Sequence, residues 1–322
     1  MKTCLAVIGA LAIGCAWAGD ARFNGRWDIT GYTSPRNRAW WLEITGAETA
    51  SPAGRFVTAY NGDMNQIDEL AIQNGELRFG FIRKDRPQPG VEPKTAHLIY
   101  KARLVDGKLE GTFEIEGQDR PAMKWVGVPA PVIRDRDDGS WREGKPVTLF
   151  NGKDMTGWHS ESGKEGGWSV EDGVLASTGG GANILSDQKF WNFKLHLEYR
   201  VHPHSNSGVG LRARYEIQVL ADYGRPAGTH NSGALYARIA PSENASKPPD
   251  EWQTYDITLI GRQLTVVLNG KKVIDKGEVE GLTAIAIDPN EAEPGPIFLQ
   301  GDHGAVEFRN IVVTPLLQGR RR

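Results

Sequence analysis

The sequence predicts an all-β protein built from antiparallel strands. Glycine (39 residues) and proline (18 residues) are frequent among the 322 residues, and they divide the chain into short segments bounded by turns. Many of these segments alternate apolar and polar side chains, whereas no long stretch carries the period of an amphipathic helix. Many short strands without crossover helices favour a sandwich or jelly roll. The length favours two domains, and 39% hydrophobic residues suffice for buried cores.

The charge balance gives no reason to expect a nucleic-acid partner. The formal net charge is −2, and the basic run that stands out is Arg320–Arg322 at the very end. We interpret this run as a frayed terminus, because a nucleic-acid site needs a larger positive surface.

Residues 1–18 have the features of an export signal. Lys2 supplies a positive charge, residues 5–13 are apolar but too short to span a bilayer, and Ala16-Trp17-Ala18 fits a cleavage site. We therefore expect a periplasmic or extracellular protein with no transmembrane span once the signal is removed. A second interpretation is a bacterial lipoprotein, anchored through a lipid on Cys15. Since Cys4 and Cys15 are the two cysteines of the chain, the mature protein would contain neither a disulfide nor a thiolate site.

A change in composition divides the rest of the chain. Residues 20–132 are expected to form a small antiparallel barrel or sandwich of unknown role, either a lipocalin-like cup or an accessory module. Asn74-Gly75 and Asp106-Gly107 each stand between alternating runs and predict tight hairpins. Residues 133–146 are charged and poor in apolar side chains, so we expect a linker. Residues 147–318 form the second predicted domain.

Two stretches of the second domain alternate strictly. In residues 193–201 and 211–219, every second side chain is apolar and is expected to face the core. In the second stretch the intervening residues are Arg212, Arg214, Glu216 and Gln218. A solvated face with cross-strand ion pairs is one interpretation. We favour the floor of a sugar-binding groove, because planar donors and acceptors suit a polyol.

Aromatic side chains and one histidine extend this prediction. Tyr236 and Trp252 could stack on a sugar ring, although core packing is the better explanation for Trp252. His303 lies in a glycine-flanked turn, where Asp302 could orient it, and it is the best catalytic candidate; an ordinary surface histidine is the competing interpretation. No histidine pair has the spacing of a zinc site on a helix. No cofactor is firmly implied, and a divalent metal bound through oxygen near Asp222 stays open.

Six short motifs occur in a fixed order in the second half of the chain. They are residues 149–158 (LFNGKDMTGW), 205–212 (SNSGVGLR), 215–220 (YEIQVL), 233–236 (GALY), 299–304 (LQGDHG) and 308–311 (FRNI). Together they resemble the 3-keto-disaccharide hydrolase family, whose fold is the concanavalin A-like jelly roll. The resemblance covers the second domain only.

This resemblance implies an enzyme that acts on glycosides already oxidised to a ketone at C3. Such a ketone acidifies the C2 hydrogen, so that a base can remove it, the C1 substituent can leave, and water can add. The base would be His303 or Glu216. Arg212 and Arg214 would stabilise the enolate or bind hydroxyl groups, and Gln218 and Gln300 would orient the substrate.

Other functions remain open at this level. A non-catalytic, lectin-like carbohydrate-binding module would use the same polar row and aromatic rings. A structural envelope protein would not need the groove. A retaining glucanase is disfavoured, because Gln218 replaces the middle Asp of the Glu-x-Asp-x-x-Glu pattern and Asp222 lies one position out of place.

Overall fold

The computed structural model of the chain describes residues 19–31, 38–58, 62–84, 95–119, 121–163 and 166–319. The predicted signal, residues 1–18 with Cys4 and Cys15, lies outside the described residues, as does the tail Arg320–Arg322. Within the described part, no helix has the length and apolar character needed to cross a bilayer.

The described residues fold almost entirely as β-strands, with one 3₁₀ turn at Ala21–Phe23. The first nine strands are β1 (Gly25–Gly31), β2 (Ala39–Thr45), β3 (Ala53–Val57), β4 (Met64–Gln66), β5 (Glu69–Gln73), β6 (Glu76–Lys84), β7 (Thr95–Val105), β8 (Lys108–Ile115) and β9 (Met123–Pro129). The next seven are β10 (Trp141–Glu143), β11 (Val147–Thr148), β12 (Trp158–Ser160), β13 (Trp168–Glu171), β14 (Val174–Ser177), β15 (Ile184–Phe190) and β16 (Phe193–Val201). The last seven are β17 (Asn206–Leu211), β18 (Tyr215–Leu220), β19 (Gln253–Ile260), β20 (Gln263–Leu268), β21 (Lys271–Glu278), β22 (Gly295–Leu299) and β23 (Val306–Gln318).

Strands β1 to β9 form one curled antiparallel sheet, which we call the N-terminal sheet. Its order is β4-β3-β2-β1-β9-β8-β7-β6-β5, so the two edge strands are consecutive in the chain. The rings of Trp40, Phe56, Phe79, Tyr100 and Phe113 pack inside it with centroids 4.6–6.2 Å apart. Because these rings fill the interior, the sheet is a packed barrel-like module, and the lipocalin-like cup is wrong.

The predicted hairpins are confirmed. Asn74 and Asp106 have φ values of 53° and 49°, and they lie in the turns that join β5 to β6 and β7 to β8. In the second half, Asn269 with a φ of 52° joins β20 to β21 in the same way. Asn, Asp and Gly tolerate this left-handed backbone, which matches the twist of the flanking strands.

The second half of the chain is a jelly-roll sandwich of two antiparallel sheets. One has the order β13-β14-β23-β16-β19-β20-β21, with β10 and β11 also paired to β23; the other has the order β12-β15-β22-β17-β18. The predicted alternation in Phe193–Val201 is confirmed, because every second side chain of β16 is buried. These side chains meet Val209, Ile217 and Leu299 of the five-stranded sheet in one core. The fold is therefore the all-β architecture that the sequence predicts.

The prediction of one continuous strand through residues 211–219 is wrong. β17 ends at Leu211, the chain turns at Arg212 and Ala213 with φ values of 53° and 51°, and β18 begins at Tyr215. Leu211 and Tyr215 pair across this hairpin, and both side chains reach the core. The apolar alternation therefore continues through a turn, where it says nothing about a shared sheet face.

The N-terminal sheet packs directly against the jelly roll. The buried ring of Trp41 lies 4.3 Å from the guanidinium of Arg238, and the Ala39 N–H donates to the carbonyl of Ala286 at 2.9 Å. Within residues 133–146, β10 pairs with the end of β23, and the Asp135 carboxylate accepts hydrogen bonds from Trp191 and Asn192. This packing brings loops of the N-terminal sheet beside the five-stranded sheet.

Candidate active site

The outer face of the five-stranded sheet carries a trough with a glycine floor. In the central strand β17, Gly210 pairs with Glu216 of β18 on one side and with Phe298 of β22 on the other. Gly208 pairs with Gln218, and its carbonyl accepts the N–H of Gln300. Paired residues point to the same face of a sheet, so these side chains form two walls with bare backbone between them. We call this feature the glycine trough.

Glu216 is the one carboxylate in the walls of the glycine trough as defined by these residues. Its side chain is 4% exposed, and a Cβ built on Gly208 would lie 2.5 Å from its Oε1 atom. Burial raises the pKa of Glu216 to about 8, against the lowering effect of His303 and Arg38 and together with the raising effect of Asp302. Such a carboxylate is a stronger base than an exposed one once it is ionised.

His303 lies at the end of the trough, in the turn between β22 and β23. Its Nδ1 atom is 2.6 Å from Oδ1 of Asp302, so the two neighbours form an oriented pair. They can do so because they lie in a turn and not on a strand, where adjacent side chains diverge. A Cβ on Gly304 would lie 2.6 Å from the backbone nitrogen of Asn206, so glycine lets this turn rest on the start of β17. The imidazole is half exposed and faces solvent.

Three side chains that the sequence analysis missed connect this pair to the N-terminal sheet. Arg38 donates to Oε2 of Glu161 at 3.0 Å. Asn183 donates through Nδ2 both to the same Oε2 atom, at 3.1 Å, and to Oδ2 of Asp302, at 3.2 Å. A continuous chain of polar contacts therefore runs from Arg38 through Glu161 and Asn183 to Asp302 and His303. No local motif marks these residues, since Arg38 is 123 positions from Glu161.

Three amide oxygens beside the trough are acceptors without a donor in the described part of the chain. They are Oε1 of Gln218, Oε1 of Gln300 and Oδ1 of Asn206. The Nε2 group of Gln218 donates to the carbonyl of His230 at 3.3 Å, which fixes the orientation of this amide. Buried acceptors are normally satisfied, so the trough suits a ligand that carries several hydroxyl donors.

Tyr236 lies at the rim of the trough. Its N–H donates to the carbonyl of Glu216 at 3.0 Å, and its ring meets the ring of His230 edge-on at 4.8 Å. Nε2 of His230 is in turn 3.3 Å from Oδ1 of Asp63, which precedes β4 in the N-terminal sheet. The predicted residues Glu216, Gln218, Tyr236, Gln300 and His303 are thus brought together.

Arg212 and Arg214 are not part of this group. Arg212 donates to the carbonyl of Trp191 and stacks on that ring at 3.9 Å, whereas Arg214 binds Asp288 and the carbonyl of Glu293. Both guanidinium groups therefore tie loops to the end of the hairpin. Their expected sharing of a face with Glu216 is a correction that follows from the turn, and their binding role stays a prediction.

Trp252 lies elsewhere in the molecule. Its ring packs against Arg200, at 4.9 Å, and Arg309, at 3.9 Å, which project from the outer side of the other sheet. The expected stacking of Trp252 on a sugar in the trough has no support from this position.

The described residues contain no group of three or more His, Cys, Asp or Glu side chains arranged to hold a metal ion. Oδ2 of Asp222, near which an ion was considered, accepts hydrogen bonds from Asn231 and from the N–H of Ser232. This oxygen therefore has a structural task in the loop after β18.

Comparison with known proteins places this geometry in a family. A family model described as the 3-keto-alpha-glucoside-1,2-lyase-like domain matches residues 145–314, which is more than half of the chain. The chain belongs to this family. The predicted resemblance and its restriction to the C-terminal part are confirmed, and the protein is a carbohydrate-acting protein of the glycosyl hydrolase type.

Individual relatives of this 3-keto-glucoside lyase-like domain are distant. A 3-keto-disaccharide hydrolase of Bacteroides thetaiotaomicron is 26% identical over 167 residues, which is 40% of this chain and 57% of the relative. The chain thus spans 57% of the length of that relative. Two crystal structures of candidate glycosyl hydrolases from Parabacteroides distasonis are 28% and 26% identical, with TM-scores of 0.47 and 0.42. They cover 57% and 53% of this chain and 91% and 100% of their own.

Proposed function

We propose that the protein cleaves 3-keto-glycosides by removing the C2 proton with Glu216. The observation that carries this proposal is the buried carboxylate of Glu216, which lies on the glycine floor beside the His303–Asp302 pair with a pKa raised to about 8 by burial. Removal of a C–H proton next to a ketone needs a base of raised pKa near a stabilising donor. It does not need the two carboxyl groups about 5 Å apart that retaining glycosidases use.

The proposed reaction balances in two stages. Glu216 takes the proton from C2, the C–H electron pair forms a C2–C3 enolate, and the negative charge rests on the C3 oxygen. The enolate then collapses, a C1–C2 double bond forms, and the C1–O bond breaks with its electron pair moving to the leaving oxygen, which takes up a proton. Water adds across the double bond, with its hydroxyl on C1 and a proton on C2. The sum is hydrolysis.

Between the two candidate bases, the surroundings favour Glu216 for the C2 proton. Its carboxylate is buried in the trough wall, where water does not compete for it, whereas the imidazole of His303 is half exposed. With its Nδ1–H held by Asp302, His303 would act through Nε2, as the group that protonates the leaving oxygen. The amide oxygens of Gln218, Gln300 and Asn206 would receive sugar hydroxyl donors.

A direct test compares a 3-keto-glycoside with its unoxidised parent. We expect turnover of the keto form alone, a loss of at least about 10³-fold in kcat for Glu216→Gln, and a smaller loss for His303→Gln. The assay is repeated with a chelator, so that a need for a divalent metal is detected separately. Binding of both sugars without turnover of either would replace the enzyme by a lectin-like module.

We further propose that the protein is exported. The support is the sequence pattern of residues 1–18, with Lys2, the short apolar run and Ala16-Trp17-Ala18. Expression in a Gram-negative host, followed by mass determination of the protein in the periplasmic fraction, tests it. Cleavage after Ala18 supports secretion, a lipid-modified Cys15 supports the lipoprotein alternative, and an unprocessed cytoplasmic chain contradicts export.

A further inference from the structure

The N-terminal sheet reaches the glycine trough at two places. At one end, Arg38, which immediately precedes β2, contacts Glu161, the carbonyl of Ile285 and the ring of Phe298, with its guanidinium 5.8 Å from that ring. At the other end, Asp63 contacts His230 beside Tyr236. The family model begins at residue 145, so it includes neither Arg38 nor Asp63.

We propose that the N-terminal sheet completes the active site, with Arg38 as a positioning residue that holds the His303–Asp302 pair through Glu161 and Asn183 and places a positive charge opposite Glu216. This inference rests on the proposed function. It gives a role to a module for which the sequence predicts none.

The geometry of Arg38 supports a fixed position. Its side chain and that of Glu161 are each 11% exposed, so the ion pair between them is largely removed from water. A pair of this kind holds both partners in place, and loss of one partner leaves the other charge uncompensated. Without Arg38, Glu161 would compete for the Asn183 amide that also donates to Asp302. The orientation of His303 therefore depends on a residue of the other sheet.

The electrostatics of the trough give the same role to Arg38. The charged groups that act on Glu216 are His303 and Asp302, from the turn after β22, and Arg38, from the N-terminal sheet. Arg38 lowers the pKa of Glu216 against the effect of burial. Its charge thus increases the fraction of Glu216 that is ionised near neutral pH.

The test is the pH dependence of kcat/KM in the full chain with the Arg38→Gln and Arg38→Lys variants. For Arg38→Gln we expect a loss of about 10-fold or more in kcat and an upward movement of the acid limb by roughly one pH unit. Arg38→Lys keeps the charge but not both hydrogen bonds, so its acid limb should stay near that of the wild type while kcat falls. Arg55→Gln is the matched control, because Arg55 also joins the two sheets, through Glu280.

If Arg38→Gln does not fold, Asn183→Ala tests the same connection inside the jelly roll. It removes the amide between Glu161 and Asp302, so kcat should fall while the acid limb stays in place. Wild-type kcat in Asn183→Ala, or an unmoved acid limb in a folded Arg38→Gln, would overturn the inference. Neither result touches the proposed function, which fails instead if Glu216→Gln remains active.

Discussion

The carboxylate of Glu216 rests on the backbone of Gly208, at a distance that leaves no room for a side chain. A Cβ on Gly208 would lie 2.5 Å from Oε1 and 3.1 Å from Cδ of Glu216. The conflict is with the flexible end of a side chain and not with the backbone. Substitution at Gly208 should therefore move the carboxylate while the sheet remains intact.

Gly208→Ala is accordingly expected to lower kcat on a 3-keto-glycoside by at least about 10-fold, because a small displacement of a reacting group is costly. The melting temperature should change little. The control is Gly127→Ala in β9, where the added Cβ would meet Ile29 and Leu109 at 3.3 Å, far from the trough. Full activity in Gly208→Ala would show that the position of the Glu216 carboxylate does not limit the reaction.

Glu216→Gln should make the protein more stable in alkaline solution, although it removes the proposed base. The pKa of Glu216 is raised by burial to about 8, so the folded state holds a proton that the unfolded state loses above its ordinary pKa. Stability of the wild type must therefore fall as the pH rises from about 4.5 to about 8. We expect a gain on the order of 2 kcal/mol for Glu216→Gln at pH 9 and almost none at pH 4. Urea unfolding at both values measures it, and an equal effect at both would contradict the raised pKa.

Asp28 is a second buried carboxyl group whose pKa is raised, at the contact between the N-terminal sheet and the jelly roll. Burial and the nearby Glu291 raise its pKa to about 9. The group is neutral at pH 7 in the folded state, so folding requires uptake of a proton between about pH 4 and pH 9. Asp28→Asn imitates the neutral form, and we expect it to be at least about 1 kcal/mol more stable than the wild type at pH 8. Lower stability of this variant at pH 8 would mean that Asp28 is ionised.

Arg262 and Glu291 form a buried ion pair in the same region. Nη2 of Arg262 lies 2.7 Å from Oε2 of Glu291, whose side chain is fully buried and also accepts from the hydroxyl of Tyr215. Arg262→Met leaves that carboxylate without its countercharge, so we expect a loss of about 3–5 kcal/mol. Arg103→Met, which removes an exposed pair with Glu76, is the matched control and should cost less than about 1 kcal/mol. Similar losses in the two variants would contradict the importance of the buried pair.

Local patterns in the sequence predict much of this fold. The Asn-Gly and Asp-Gly hairpins and the alternation of β16 depend on neighbouring residues, so they can be recognised without knowledge of the rest of the chain. The hairpin at Arg212 could not be recognised, since Arg and Ala adopt positive φ there without the usual Gly or Asn.

The site is predictable only in part for the same reason. Glu216, Gln218 and His303 belong to motifs in the sequence, whereas Arg38 reaches the site through tertiary packing across 247 positions to Ile285. Asn183 likewise binds Asp302 across 119 positions. Contacts of this range leave no pattern in a single sequence. They follow from the way the N-terminal sheet lies against the jelly roll.

Deuterium transfer from solvent tests the central claim most directly. The protein is incubated in D₂O with a 3-keto-glycoside, and the 3-keto-sugar product is examined by NMR at short times beside an enzyme-free control. Removal of the C2 proton followed by addition of water predicts deuterium at C2 of the product, in the wild type and not in Glu216→Gln. Product that forms at the enzymatic rate with its original hydrogen at C2 would contradict this mechanism.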